Sequence, residues 1–199
     1  EPVSGTWIFF QDNQLHADIN GSGNRCITNA VQRDPSAWYH IVWQVDTTDA
    51  TASNRSRIYV NGVLQTFSSS AYPAQNADTG ISNNVAHYLG SGSSGAYFFD
   101  GYLADIHFID GQALDPTSFG EFDTNGIWQP IEYTGSYGTN GFHLPFSDNS
   151  TAAALGTDTS GAGNDWSVNN ISVADGAGND SLVDVPTNGT ETDTGVGGE

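Results

Sequence analysis

The chain has 199 residues, room for one ample domain or for one domain plus part of another. Its 23 Asp and Glu stand against four Arg and no Lys, a formal net charge of −19. That balance excludes a nucleic-acid binder, which needs basic side chains to displace counterions, and it disfavours insertion into or attraction to anionic membranes.

No apolar run approaches the 18 or so residues of a membrane span. Cys26 is the single cysteine, so no intrachain disulfide can form. The chain opens on Glu1 inside a strand-like stretch and ends in a Gly/Thr/Glu tail, as expected of a piece of a longer protein.

Gly, Ser, Thr, Asn and Asp punctuate the chain every eight to twelve residues or so, the rhythm of an all-β sandwich or barrel. Thr6 to Phe10 and Gln14 to Ile19 read as the first strands, followed after the Asn20-Gly21-Ser-Gly23 turn by Cys26 to Thr28. Trp38 to Val45 has the strongest pattern. Period-two alternation puts Tyr39, Ile41, Trp43 and Val45 on one face, toward a core. Arg57 to Val60, Asn61-Gly62 and Val63 to Phe67 predict a hairpin, because Asn-Gly supplies both positive φ angles of a type I′ turn. Val60 would then face Val63, and Tyr59 would face Leu64.

Residues 68–85 read as a polar loop, His87 to Gly90 as a short strand, and 91–95 as a flexible connector. Tyr97 to Ile109 is a long apolar run whose parity breaks at Asp105, and a β-bulge near Ala104 would reconcile the two halves. Asp115-Pro116 is suited to cap one helical turn. Composition shifts after Trp128. A Tyr/Gly-rich link, a strand from Gly141 to Phe146 and a Gly/Asn/Asp-rich segment follow, with Gly-Ala-Gly-Asn-Asp at both 161–165 and 176–180. The expected organisation is a β-sandwich over 1–127, the link and Gly/Asp-rich segment over 128–186, and a flexible tail over 187–199.

Trp38-Tyr-His-Ile-Val42, Ile58-Tyr-Val-Asn-Gly62, His87-Tyr-Leu-Gly90, Phe99-Asp-Gly-Tyr-Leu-Ala-Asp-Ile-His-Phe108 and Gln112-Ala-Leu114 resemble, in order, the motifs of laminin-G-like, concanavalin A-type lectin/glucanase domains. Arg33 to His40, Asp105 to Leu114 and Gly178 to Asp184 resemble a subgroup found in tail and structural proteins of marine bacteriophages. The resemblance implies an antiparallel jelly-roll β-sandwich lacking one or more N-terminal strands, with an irregular C-terminal segment. Phe146-Ser-Asp-Asn149 and Leu155 to Asp165 resemble the opening of another such domain. The last third therefore either begins a second module or supplies strands to the first.

Glucanases of this superfamily carry their acid and nucleophile as Glu-x-Asp-x-(x)-Glu on one strand, which brings the carboxylates close enough for a retaining pair. Here Glu121-Phe122-Asp123 lacks the second Glu and has a turn-like context, so hydrolysis is not expected. His40 and His107 fall within strands and are read as hydrogen-bonded wall residues rather than bases. For Asp158, Asn164 and Asp165, residue types alone favour solvated turns. The resemblance implies instead a calcium ion held in that loop. A glycan platform needs flat rings beside polar loop groups, and Tyr97, Phe98, Trp128, Tyr133 and Tyr137 are the candidates.

By resemblance the expected role is non-catalytic adhesion to a host-surface glycan, calcium-assisted, within a virion tail fibre or an extracellular protein, alongside other fibre subunits. A structural spacer without ligand and, further off, a polysaccharide hydrolase are the alternatives.

Overall fold

The structure is a computed structural model that describes residues 5–21, 23–82, 85–92, 97–176 and 178–181. The chain divides into two compact units, Glu1–Phe99 with Ala113–Glu132, and Asp100–Gln112 with Tyr133–Glu199. The composition change noted after Trp128 lies near the junction at Glu132, while residues 100–112 group with the C-terminal portion. Secondary structure among the described residues is antiparallel β with short 3₁₀ turns and no α-helix, and no helix is long and apolar enough to cross a membrane.

In the first unit, strands β1 (Trp7–Gln11), β2 (Gln14–Asp18), β3 (Arg25–Val31) and β7 (Phe67–Ser70) form one sheet in the order β1-β2-β3-β7. Strands β4 (Ile41–Val45), β5 (Ser56–Val60) and β6 (Val63–Leu64) form a second, and β9 (Gly120–Phe122) pairs with β10 (Trp128–Pro130). Leu15 and Ala17 from the first sheet meet Ile58 and Val60 from the second, all buried, with Tyr39, Ile41, Trp43 and Phe67 packed around them. Of the four alternate positions expected to face the core, Tyr39, Ile41 and Trp43 pack on this cluster, while Val45 is partly buried and is not part of it. On the opposite face of β4, Gln44 is also buried, and its amide donates to the carbonyls of Ala113 at 2.7 Å and Leu114 at 3.2 Å. Polar burial is tolerated there because both donors are matched.

The Asn61-Gly62 hairpin forms as expected. Tyr59 pairs with Leu64 and Val60 with Val63, at φ of 48° for Asn61 and 75° for Gly62. Gly62 is constrained twice, since a Cβ there would run into the Trp128 ring. Beyond Leu64 the chain leaves this sheet, and Phe67–Ser70 joins β3 in the other, where a loop was expected from Ser68. In β3 the register against β2 slips between Gln14 and His16, and the Thr28 hydroxyl takes the Leu15 N–H at 3.1 Å in place of a ladder carbonyl.

His87 to Gly90, expected as a strand, is irregular: it joins no ladder among the described residues, and Tyr88 and Leu89 are exposed. The run from Tyr97 to Ile109 yields only β8 (Ile106–Phe108). Its parity break falls at Asp105, at φ 50°, rather than at a bulge inside a ladder. Asp115 caps the single turn Pro116–Ser118 by accepting from the Thr117 N–H, as the sequence predicts.

In the second unit β8 pairs with β11 (Phe142–Leu144), matching Phe142 with Phe108, His143 with His107 and Leu144 with Ile106. Phe142 stacks on Phe108 and meets the Trp166 ring edge-on, and Leu144 and Leu155 are buried in the same unit. Gly141 lies so close to the Tyr137 carbonyl that no side chain fits.

On the outer face of β2, His16 (5% exposed) is tucked beside the Phe9 ring, and Asp18 pairs with Arg25. Burial first, then the Arg25 guanidinium, pushes the His16 imidazole below its ordinary 6.5. The unfolded chain therefore takes up a proton that the native state refuses, and stability falls as pH drops through 6.5. The melting midpoint should fall between pH 7.5 and 5.5 in the wild type and fall less in His16→Gln. Equal falls in the two proteins would exclude His16 as the responsible group.

Candidate functional site

Strand alternation in the second unit brings together groups that are distant in sequence. Asp105 and His107 sit two apart at the start of β8, and the β8–β11 register sets His143 directly opposite His107. The two imidazoles stack, with ring centres 4.3 Å apart and planes at 12°. The left-handed backbone of Asp105 accompanies a carboxylate shared between both rings: Oδ1 lies 2.7 Å from His143 Nε2 and Oδ2 3.3 Å from His107 Nε2.

The far nitrogens are also engaged. His107 Nδ1 is 2.8 Å from the Tyr137 hydroxyl, and His143 Nδ1 is 2.8 Å from the Thr159 hydroxyl. The His107 hydrogen bond, followed by that of His143, outweighs desolvation and holds the Asp105 carboxyl down to about 2. One ligand atom from each of Asp105, His107 and His143 lies within 4.8 Å of the others. The imidazole side chains are largely covered, at 13% and 23% exposure, while that of Asp105 is 49% exposed, so the cluster opens to solvent on the carboxylate side.

Tyr133 and Tyr137 fall in this cluster. Tyr137 is 9% exposed and lies parallel to both imidazoles, and Tyr133 meets Tyr137 and His107 edge-on while its hydroxyl donates to the Ser136 carbonyl. Their faces serve the histidines. His107 is thus the hydrogen-bonded wall residue the sequence suggested, and its cross-strand partner was not foreseen. Asp105-x-His107 places both side chains on one strand face, a signal visible in the sequence, but the register that adds His143 is not.

The remaining candidates lie in two other places. Trp128, in the first unit, packs over Gly62 and Gly120, donates to His40 Nδ1 at 3.1 Å and abuts Phe122. Tyr97 and Phe98 are 86% and 70% exposed. Their loop is closed by the Gly92 N–H donating to the Tyr97 carbonyl at 3.1 Å and the Phe99 N–H donating to the Gly90 carbonyl at 2.8 Å. Asp123 turns back to accept from the amides of Ile127, foremost, and Asn125, which keep its carboxyl low, and Glu121 is exposed on β9.

Asp158, Asn164 and Asp165 do gather in one loop. The Asp158 carboxylate receives the amides of His143, Ser160 and Asn164 and the Ser160 hydroxyl at 2.8–2.9 Å, and Asp165 receives the Asp158 amide at 2.8 Å. Asn164 donates its amide to the carbonyls of Thr139 and Gly141. The loop thus clips the start of β11 to the turn at 158–165.

Desolvation opposes ionisation of Asp158, but these donors together outweigh it and hold the carboxyl down to about 2. A depressed carboxyl stabilises the fold fully above the unfolded value of about 3.9, and the contribution drains away as pH falls toward 2. Asp158→Ala leaves buried donors without acceptors and should cost about 1–3 kcal/mol in urea unfolding at pH 7. The gap from wild type should close as pH drops from about 4 to 2; a gap independent of pH would contradict this role.

Among the comparisons with known proteins, no curated protein and no solved structure matches the chain. A laminin G family model, described as the Concanavalin A-like lectin/glucanases superfamily, matches residues 4–118. That is more than half of the 199 residues and takes in the two larger sheets of the first unit, β1-β2-β3-β7 and β4-β5-β6. With its all-β antiparallel architecture, the chain belongs to the Concanavalin A-like lectin/glucanases superfamily.

Proposed function

We propose that this chain is a non-catalytic carbohydrate-binding module of an extracellular or virion protein, attaching to glycans on a host surface through Tyr97 and Phe98. The observation that carries this reading is the exposure of these two successive rings, 86% and 70%, on one hydrogen-bonded loop. Flat rings held in water offer C–H-stacking faces to sugars. Superfamily membership supports a carbohydrate ligand, and the bacteriophage resemblance supports a tail-fibre setting with other fibre subunits. Repetition on a particle would raise a weak single-site affinity through effective concentration.

A hydrolytic role fits the residues less well. A retaining pair needs one carboxyl kept protonated about 5 Å from the other. Asp123, the partner nearest Glu121 in sequence, is held ionised by its own turn.

Immobilised algal and bacterial polysaccharides should retain the protein, and the double change Tyr97→Ala, Phe98→Ala should weaken retention about tenfold or more, roughly 1.4 kcal/mol. No retention on any surface polysaccharide would leave the spacer role instead, and retention unchanged by the double variant would move the site elsewhere.

Calcium in the loop of Asp158, Asn164 and Asp165 belongs to the same reading, the ion replacing the amides that now hold Asp158. Millimolar calcium added to metal-stripped protein should then raise the melting midpoint, since a ligand of the folded state alone stabilises it. An unchanged midpoint removes calcium from the reading.

A further inference from the structure

We infer that Asp105, His107 and His143 form a binding site for a borderline divalent transition metal, with zinc as its type ion. Two imidazole nitrogens and one carboxylate oxygen converge within 4.8 Å, and zinc accepts such a set with three protein ligands and one position left over. The donor chemistry selects against calcium, which takes oxygen ligands in greater number.

Three features of the cluster suit a metal better than a solvated surface. Both Nε2 atoms lie against one carboxylate, His143 at Oδ1 and His107 at Oδ2, so the ligand atoms of all three residues sit within reach of one ion once the rings turn to meet it. The β8–β11 ladder fixes the rings relative to each other, since His107 and His143 are directly paired and stacked at 4.3 Å. Each far nitrogen rests 2.8 Å from a hydroxyl, Tyr137 for one ring and Thr159 for the other.

Those hydroxyls bear on the exchange of proton for metal. When Nε2 carries the proton and donates to Asp105, Nδ1 accepts from the hydroxyl. When Nε2 ligates a metal, the proton moves to Nδ1, which donates to the same hydroxyl oxygen, and the hydroxyl hydrogen rotates away. Each ring exchanges its Nε2 hydrogen bond to Asp105 for the bond to the metal and keeps the one at Nδ1 with its direction reversed, so no proton need leave the protein. Groups oriented through the second nitrogen are the usual supports of metal-binding histidines. The fourth position faces the exposed Asp105 side and is open to water or to an oxygen ligand. The site lies in the second unit and does not rest on the glycan reading, which concerns the loop at Tyr97 and Phe98.

The test uses the full chain stripped of metal and titrated with zinc chloride or cobalt(II) chloride alone. One equivalent of zinc should bind by calorimetry and raise the melting midpoint, and cobalt should give the intense visible absorption of a four-coordinate site. Asp105→Asn and His107→Gln should each weaken zinc binding on the order of 100-fold or more, and Thr159→Val about tenfold, the range found for supporting groups. His87→Gln should change nothing. The inference is overturned if wild-type protein gives only the weak spectrum of hydrated cobalt and binds no zinc at millimolar concentration. Zinc binding at full strength in both Asp105→Asn and His107→Gln would overturn it equally, because the ion would then sit elsewhere.

Discussion

The first unit depends on one contact: the apolar sides of two antiparallel sheets closed on each other through Leu15, Ala17, Ile58 and Val60. Leu15, Ala17 and Ile58 are no more than 1% exposed, and removing such side chains from water is the main favourable term in a chain with little ionic attraction to offer. With acidic groups in such excess, self-repulsion works against compactness. The apolar layer must overcome that opposition along with the cost of ordering the backbone.

Around this layer the acidic residues serve largely as local acceptors. Asp34, Asp46, Asp49, Asp115, Asp123 and Asp148 each take an amide two residues ahead, tightening turns that join strands. Asp158 extends the device to four donors and ties a loop to β11. The high Asp content is thus in good part structural, a means of making short turns without helices. Asp105 differs, because its acceptor oxygens face two side-chain imidazoles instead of backbone amides. That difference sets it apart from the turn formers.

The sequence was most informative where a local rule acts alone. Asn61-Gly62 dictates its turn, Asp115-Pro116 its cap, and the alternation at Tyr39, Ile41 and Trp43 its core face, and all three appear in the structure. It was least informative where the outcome depends on what lies alongside. The apolar character of His87 to Gly90 suggested a strand, but a strand needs a ladder, and none forms there among the described residues. Phe67 looked like the end of a hairpin and Ser68 onward like a loop, yet Phe67–Ser70 crosses to the other sheet because β3 offers it an edge. At the candidate site, Asp105 and His107 could be placed on one face by spacing, while His143 enters through a pairing across more than thirty residues that no local pattern encodes.

Hydrogen exchange at the level of single amides tests the layered arrangement most directly. If the two sheets are closed on each other, the amides of Leu15 to Asp18 and of Ile58 to Val60 are the slowest in the first unit and open together, with one common free energy set by global unfolding. Slow exchange in one of these strands with loop-like exchange in the other would mean that the sheets do not share a core, and the sandwich described here would be wrong.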